Sequence, residues 1–94
     1  IKMVTIKNKK GTSNDKLPEG CKSWKEYWEK NNEKKWPKKC KVDKCKNDAE
    51  VGAHVYKTIN SKIVYIVPIC NEHNNYKETE EMSVDKDYLV EIKD

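Results

Sequence analysis

The apolar residues of this chain fall into short periodic stretches separated by polar punctuation. Val4 and Ile6 alternate with polar neighbours and predict a short first strand. Asn8 to Gly20 then carries Gly11, Thr12, Ser13, Asn14, Asp15, Pro18 and Gly20 and reads as an irregular loop, so 1–22 is an N-terminal strand and loop. Ser23 begins a helix over 23–33: its hydroxyl can cap the first turn, and Glu26 three residues on completes a Ser-x-x-Glu capping box. Trp24, Tyr27 and Trp28 recur at i, i+3 and i+4, which places one aromatic stripe toward a core and leaves the charged residues on the opposite face. The helix is expected to fade near Asn31–Asn32, ahead of Trp36–Pro37.

Further along the period changes. Val51 to Ile59 and Lys62 to Val67 are rich in β-branched and aromatic residues, and Asn60–Ser61 between them predicts a hairpin. Val51, Ala53 and Val55 share one face of the first of these strands, with Gly52, His54 and Tyr56 on the other. In the second, Ile63, Tyr65 and Val67 oppose Val64 and Ile66, so both faces are expected to be covered. Pro68 is expected to end the pairing, and Cys70 to about Lys77 to form a short helix. An acidic run, Glu78 to Glu81, precedes Val84 and a closing strand at Tyr88 to Ile92, which makes 78–94 an acidic segment with a C-terminal strand. These elements describe one α+β domain.

Composition sharpens the picture in two ways. The 94 residues are 38% charged and lack Phe, and a domain this small and polar needs a stabilising device beyond its hydrophobic core. All 20 basic residues are lysines, so the chain lacks the guanidinium fork that makes the commonest bidentate contact with guanine and phosphate. The formal charge is +4; three thiolates and one Zn²⁺ together add one negative charge and bring it to +3, a weakly basic balance. No apolar run reaches the ~18–20 residues of a membrane span, and residues 1–10 lack the long apolar stretch of a signal peptide, so no membrane contact is expected.

The missing device is supplied by four residues. Cys40 and Cys45 form a Cys-x4-Cys pair, Cys70 and His73 a Cys-x2-His pair, and the 24 residues between the pairs contain the hairpin. A tight turn and one helical turn can each present half of a tetrahedral Zn²⁺ site. The competing reading, two disulfides in one of three connectivities, gives His73 no task. Zinc held by thiolates points to a reducing compartment, and a cytoplasmic setting is expected. Cys21, just before the aromatic helix, is either a buried free thiol or a residue that approaches the metal.

Knuckle, hairpin, then a helix bearing the second ligand pair is the order of a treble-clef zinc finger, with a ββα-like core over 40–77. Within that group, Cys40-x4-Cys45, Gly52-Ala53-His54-Val55 and Ile66-Val67-Pro68-Ile69-Cys70-Asn71-Glu72-His73-Asn74 resemble the zinc-stapled HNH endonucleases. The resemblance covers about two-fifths of the chain. It implies a structural Zn²⁺ on Cys40, Cys45, Cys70 and His73, and it puts His54 at the position of that family's general base. The remaining catalytic set departs from the pattern: Ala53 stands where the family has Asp or His, Tyr65 where it has Asn, and Asn74 where its metal-binding His follows. Phosphodiester hydrolysis needs a charge clamp as well as a base, so the expectation is a non-catalytic zinc-binding domain. The alternatives for His54 are a hairpin histidine bonded to a backbone carbonyl or packed beside the site, and a replacement fourth ligand to the metal.

Lys34, Lys35, Lys38, Lys39, Lys41, Lys44 and Lys46 flank the knuckle with Trp36 among them. Such a mixture can hold phosphates and stack on a base, which makes Lys35, Trp36, Lys38, Lys39, Lys41 and Lys44 the candidates for nucleic-acid contact. The same lysines can instead offset the charge of the thiolate site. Three roles therefore compete: a nucleic-acid-binding module, an HNH-type metal-dependent nuclease using His54, and a protein-interaction or inhibitory module whose zinc is purely structural.

Overall fold

The computed structural model describes residues 2–12 and 16–93. The middle of the expected N-terminal loop, Ser13, Asn14 and Asp15, lies outside them. Five antiparallel strands form one sheet: β1 (Met3–Asn8), β2 (Val51–Lys57), β3 (Asn60–Ile69), β4 (Glu81–Asp85) and β5 (Val90–Glu91), in the order β4-β1-β2-β3-β5. Two helices, α1 (Trp24–Asn31) and α2 (Asn71–Asn74), pack against it, and a 3₁₀ turn at Lys86–Tyr88 leads into β5.

Each face of the sheet carries its own core, as the alternation along the hairpin predicts. Ile6, Val55, Val67, Ile69, Met82 and Val84 form one cluster, joined by Val42, Cys40 and Cys70. Ile66 points the opposite way and meets Tyr27 and Trp28 of α1 and Val90 of β5. Trp28 is fully buried, and its indole N–H donates to Tyr88 O at 2.9 Å, which satisfies the polar end of an otherwise apolar side chain. The capping box is half realised: Ser23 Oγ accepts from Glu26 N at 3.1 Å, while the Glu26 carboxylate turns to Lys30 at 3.3 Å.

Four expectations are corrected. Pairing does not end at Pro68, because β3 runs to Ile69 with Gly52 opposite Pro68 and Val51 opposite Ile69. Pro68 O accepts from Lys41 N at 3.0 Å, so that residue's polar edge faces the knuckle and its missing N–H removes no rung shared with β2. The hairpin turns at Thr58–Ile59, before Asn60–Ser61, with Lys57 paired to Asn60 and the Asn60 side chain accepting from Lys62 N. The segment read as an acidic run starts β4 at Glu81, where Met82 and Val84 alternate inward between polar residues and pair with β1. α2 is also shorter than expected, ending at Asn74 with Asn75 as its C-cap.

Candidate metal centre

The residues on either side of Cys40 are tied down from three directions. Cys40 N donates to Asn47 O at 2.8 Å, Asp43 N to Ser83 O of β4 at 2.8 Å, and Cys45 N to Val42 O at 3.0 Å, which closes the Cys40–Cys45 turn. Lys44 takes φ 65°, a left-handed conformation that lets the turn bring Cys45 back toward Cys40. Val42 bridges to Val84, so the turn is anchored on the edge strand. Cys70 is the N-cap of α2, and its sulfur lies 3.5 Å from His73 N. The cap thus places the thiol and the imidazole one turn apart on the same side of the helix.

These two devices converge. The Sγ atoms of Cys40, Cys45 and Cys70 and a ring nitrogen of His73 all lie within 4.8 Å of one another. Cys45 Sγ is 3.9 Å from Cys70 Sγ, and His73 Nδ1 is 3.8 Å from Cys40 Sγ and 3.2 Å from Cys70 Sγ. A tetrahedron with metal–sulfur bonds of about 2.3 Å has edges of about 3.7 Å, so the cluster has the dimensions of one four-coordinate ion. The cysteines form no disulfide. Three sulfurs and one imidazole suit a borderline-soft divalent ion and are a poor match for Mg²⁺ or Ca²⁺. Cys21 takes no part in the group and packs at the margin of the α1 core.

The surroundings treat the thiols unequally. Burial is the main influence that pushes the Cys40 thiol up to about 12, and the neighbouring Cys45 and Cys70 sulfurs add to it against the opposing backbone N–H groups. For Cys70 burial also acts upward, but donation from His73 N–H, the Asn47 side chain, the His73 ring and Cys40 outweighs it and brings the thiol down to about 7. A cation would be needed to hold both as thiolates at neutral pH.

Asn8 supports the ligand helix and carries no signal in the sequence, where it reads as the start of a loop. Its side chain is 1% exposed, and its amide nitrogen reaches the carbonyls of His73 at 2.8 Å, Tyr76 at 3.0 Å and Asn74 at 3.3 Å. The last strand residue of β1 thereby clamps the C-terminal turn of α2, beyond the reach of any local sequence pattern.

His54 lies away from the four ligands. It is buried on the α1 side of β2, with the Trp24 ring edge-on at 4.6 Å. A cleft of about 270 Å³ opens beside it, bounded by Asn8, Lys9, Lys10, Thr12, His54 and Asn74. Among the described lining residues none is a carboxylate, and Ala53 turns its methyl into the opposite core. The six candidate nucleic-acid residues are less uniform than their sequence proximity suggests. Lys39 pairs with Asp48 at 3.1 Å, Lys41 Nζ lies 4.0 Å from the centre of the Tyr88 ring, and Trp36 sits edge-on to Trp28 with its N–H donating to Ala49 O. Lys35, Lys38 and Lys44 are exposed. No described helix is long and apolar enough to cross a membrane.

Comparison with known proteins adds no relative: no protein-family model, no curated protein and no solved structure matches the chain.

Proposed function

We propose that the chain is a non-catalytic zinc-binding domain of treble-clef type, in which Zn²⁺ on Cys40, Cys45, Cys70 and His73 joins the knuckle to the end of the hairpin and the start of α2. The observation that carries this reading is the four-ligand group, all of whose atoms lie within 4.8 Å. The order of turn, hairpin and short helix supports the same assignment. A structural Zn²⁺ contributes about 10–16 kcal/mol in zinc-finger peptides, comparable to the entire stability of a small domain. Purified protein should therefore hold one zinc per chain, and exhaustive chelation under reducing conditions should unfold at least the second half. An unchanged far-UV spectrum and melting temperature after chelation would sink the proposal.

A nuclease reading draws on His54 and the lysines beside its cleft. Without a described carboxylate in that cleft, and with Ala53, Tyr65 and Asn74 at the HNH pattern's other catalytic positions, the cleft offers no ligand set for the divalent metal that would clamp a developing phosphorane charge beside the base. Metal-dependent nicking of plasmid by the wild type that disappears in His54→Ala would overturn the non-catalytic reading. For a domain of this kind the task is binding, and a protein partner is the reading we favour over nucleic acid. Trp36 is engaged by Trp28 and Ala49, which leaves it poorly placed to stack on a base.

A further inference from the structure

Three lysines from separate parts of the chain are held on one aromatic framework. Trp28 stacks on Tyr88 with ring centres 6.1 Å apart and meets Trp36 edge-on at 5.5 Å, so the three rings form a continuous unit. Lys25 Nζ lies 5.1 Å from the Trp36 ring centre, and Lys34 and Lys41 Nζ lie 5.7 and 4.0 Å from that of Tyr88. The described ion pairs, Lys30 with Glu26 and Lys39 with Asp48, include none of these three. An ammonium group held over a ring keeps its N–H donors for other partners while losing part of its side-chain freedom in advance. Lys34 also lines a groove of about 430 Å³, together with Glu29, Asn32, Glu33, Lys35 and Trp36.

We propose that this face docks an acidic segment of a partner protein, with its carboxylates on Lys25, Lys34 and Lys41 and an intervening apolar side chain in the groove beside Lys34. The proposal rests on the non-catalytic reading above and names the kind of partner. The composition of the face separates a peptide from a nucleic acid. Glu29 and Glu33 border the groove and Asp87 the adjoining one, so a ligand charged at every unit, as a run of phosphates is, would meet carboxylates beside Lys34. A peptide can place its carboxylates and amides alternately. Tyr88 is packed by Trp28 and two lysines, which leaves little of its ring for a base, and the chain has no arginine to grip phosphate bidentately.

The test uses the full chain with its metal content measured, and a fluorescein-labelled twelve-residue peptide of glutamate and leucine. A lysine–leucine peptide and a single-stranded oligothymidine of equal length serve as comparisons. The glutamate–leucine peptide should bind best and weaken with salt. A Lys25→Gln, Lys34→Gln, Lys41→Gln triple variant should bind it about tenfold more weakly, the size expected for losing three exposed charge contacts. Zinc content and melting temperature in that variant should stay close to wild type, which separates failure of this face from failure of the zinc reading. Binding of the oligonucleotide as tight as that of the peptide, no detectable peptide binding, or peptide binding unaffected by the triple substitution would each overturn the proposal.

Discussion

Replacing Asn8 by Asp changes one atom of a buried side chain and reverses its chemistry. The Asn8 amide nitrogen has two hydrogens and faces three carbonyl oxygens, those of His73, Asn74 and Tyr76, at 2.8 to 3.3 Å. Among the described residues His73 O also accepts from Tyr76 N and Asn74 O from Lys10 Nζ, so Tyr76 O depends most on Asn8. Losing two hydrogen bonds costs about 2 kcal/mol, and the carbonyl left dry raises this to roughly 2–4 kcal/mol in Asn8→Ala. Asn8→Asp adds a charge. Its carboxylate would sit 1% exposed against three negative dipole ends, conditions that raise a buried carboxyl to about 8.

The sign of the pH dependence follows. The unfolded carboxyl titrates near ~3.9 and the folded one far above it, so between these values the folded state holds the extra proton. Stability of Asn8→Asp then falls as pH rises, by about 1.4 kcal/mol per unit, and at pH 7 the charge-dependent penalty reaches about 4 kcal/mol. Urea unfolding in saturating zinc at several values between pH 5.5 and 7.5 measures it. The informative quantity is the difference between Asn8→Asp and Asn8→Ala, since thiolate protonation affects both variants alike. A difference that stays flat across this range would show that Asn8 is hydrated and clamps nothing, and the account of how β1 supports the ligand helix would fail.

Other substitutions probe separate parts of the argument. A Cβ at Gly52 would lie 3.0 Å from Ile66 Cγ2 and 3.2 Å from the backbone at Trp24 and Lys25, so Gly52→Ala should cost about 1–3 kcal/mol in urea unfolding by pushing α1 off β2; a neutral result would mean that the two do not pack this closely. Lys44 sits at φ 65°, so Lys44→Gly should change stability by less than about 1 kcal/mol while Lys44→Val loses roughly 1–2 kcal/mol; equal effects would show that the knuckle relaxes elsewhere. Metal uptake should strengthen as pH rises, because binding expels thiol protons. Cys40 gives up one throughout the neutral range and Cys70 adds another below about 7, so a plot of log affinity against pH, measured with a competing chelator, should steepen by about one below that value; a constant slope through pH 7 would contradict the inequality of the two thiols.

Much of this architecture was legible because local patterns and global packing agree. The capping signal at Ser23 marks the start of α1, the i, i+3, i+4 aromatic spacing identifies Tyr27 and Trp28 as core, and alternation in β2 and β3 correctly assigns Ala53 and Val55 to one face and His54 to the other. The four ligand candidates were legible for a different reason: two short spacings each correspond to one local geometry, and only the meeting of the two pairs depends on the fold. What escaped detection is held by contacts distant in sequence. β4 reads as an acidic run until β1 gives Met82 and Val84 a face to cover, and Pro68 reads as a stop until the knuckle supplies Lys41 N–H to its outward edge.

His54 shows where sequence and structure contribute different halves of one argument. Its place in Gly-Ala-His-Val made it a candidate base, and the fold does put it beside a polar cleft with two lysines. A base alone is not an active site: it needs a cation or fixed donors at the point where charge develops. The described cleft offers ammonium groups, but Lys10 is already turned inward, its Nζ donating to Asn74 O and its backbone N–H to the Glu78 carboxylate. The edge-on Trp24 ring covers another part of the histidine. Packing of this kind limits the range of positions the imidazole can adopt, and it ties the β2 face to α1 through Trp24 just as the ligand cluster brings the Cys40–Cys45 turn to the start of α2. The fold therefore uses its two histidines at two junctions, one packed by an indole and the other grouped with three thiols.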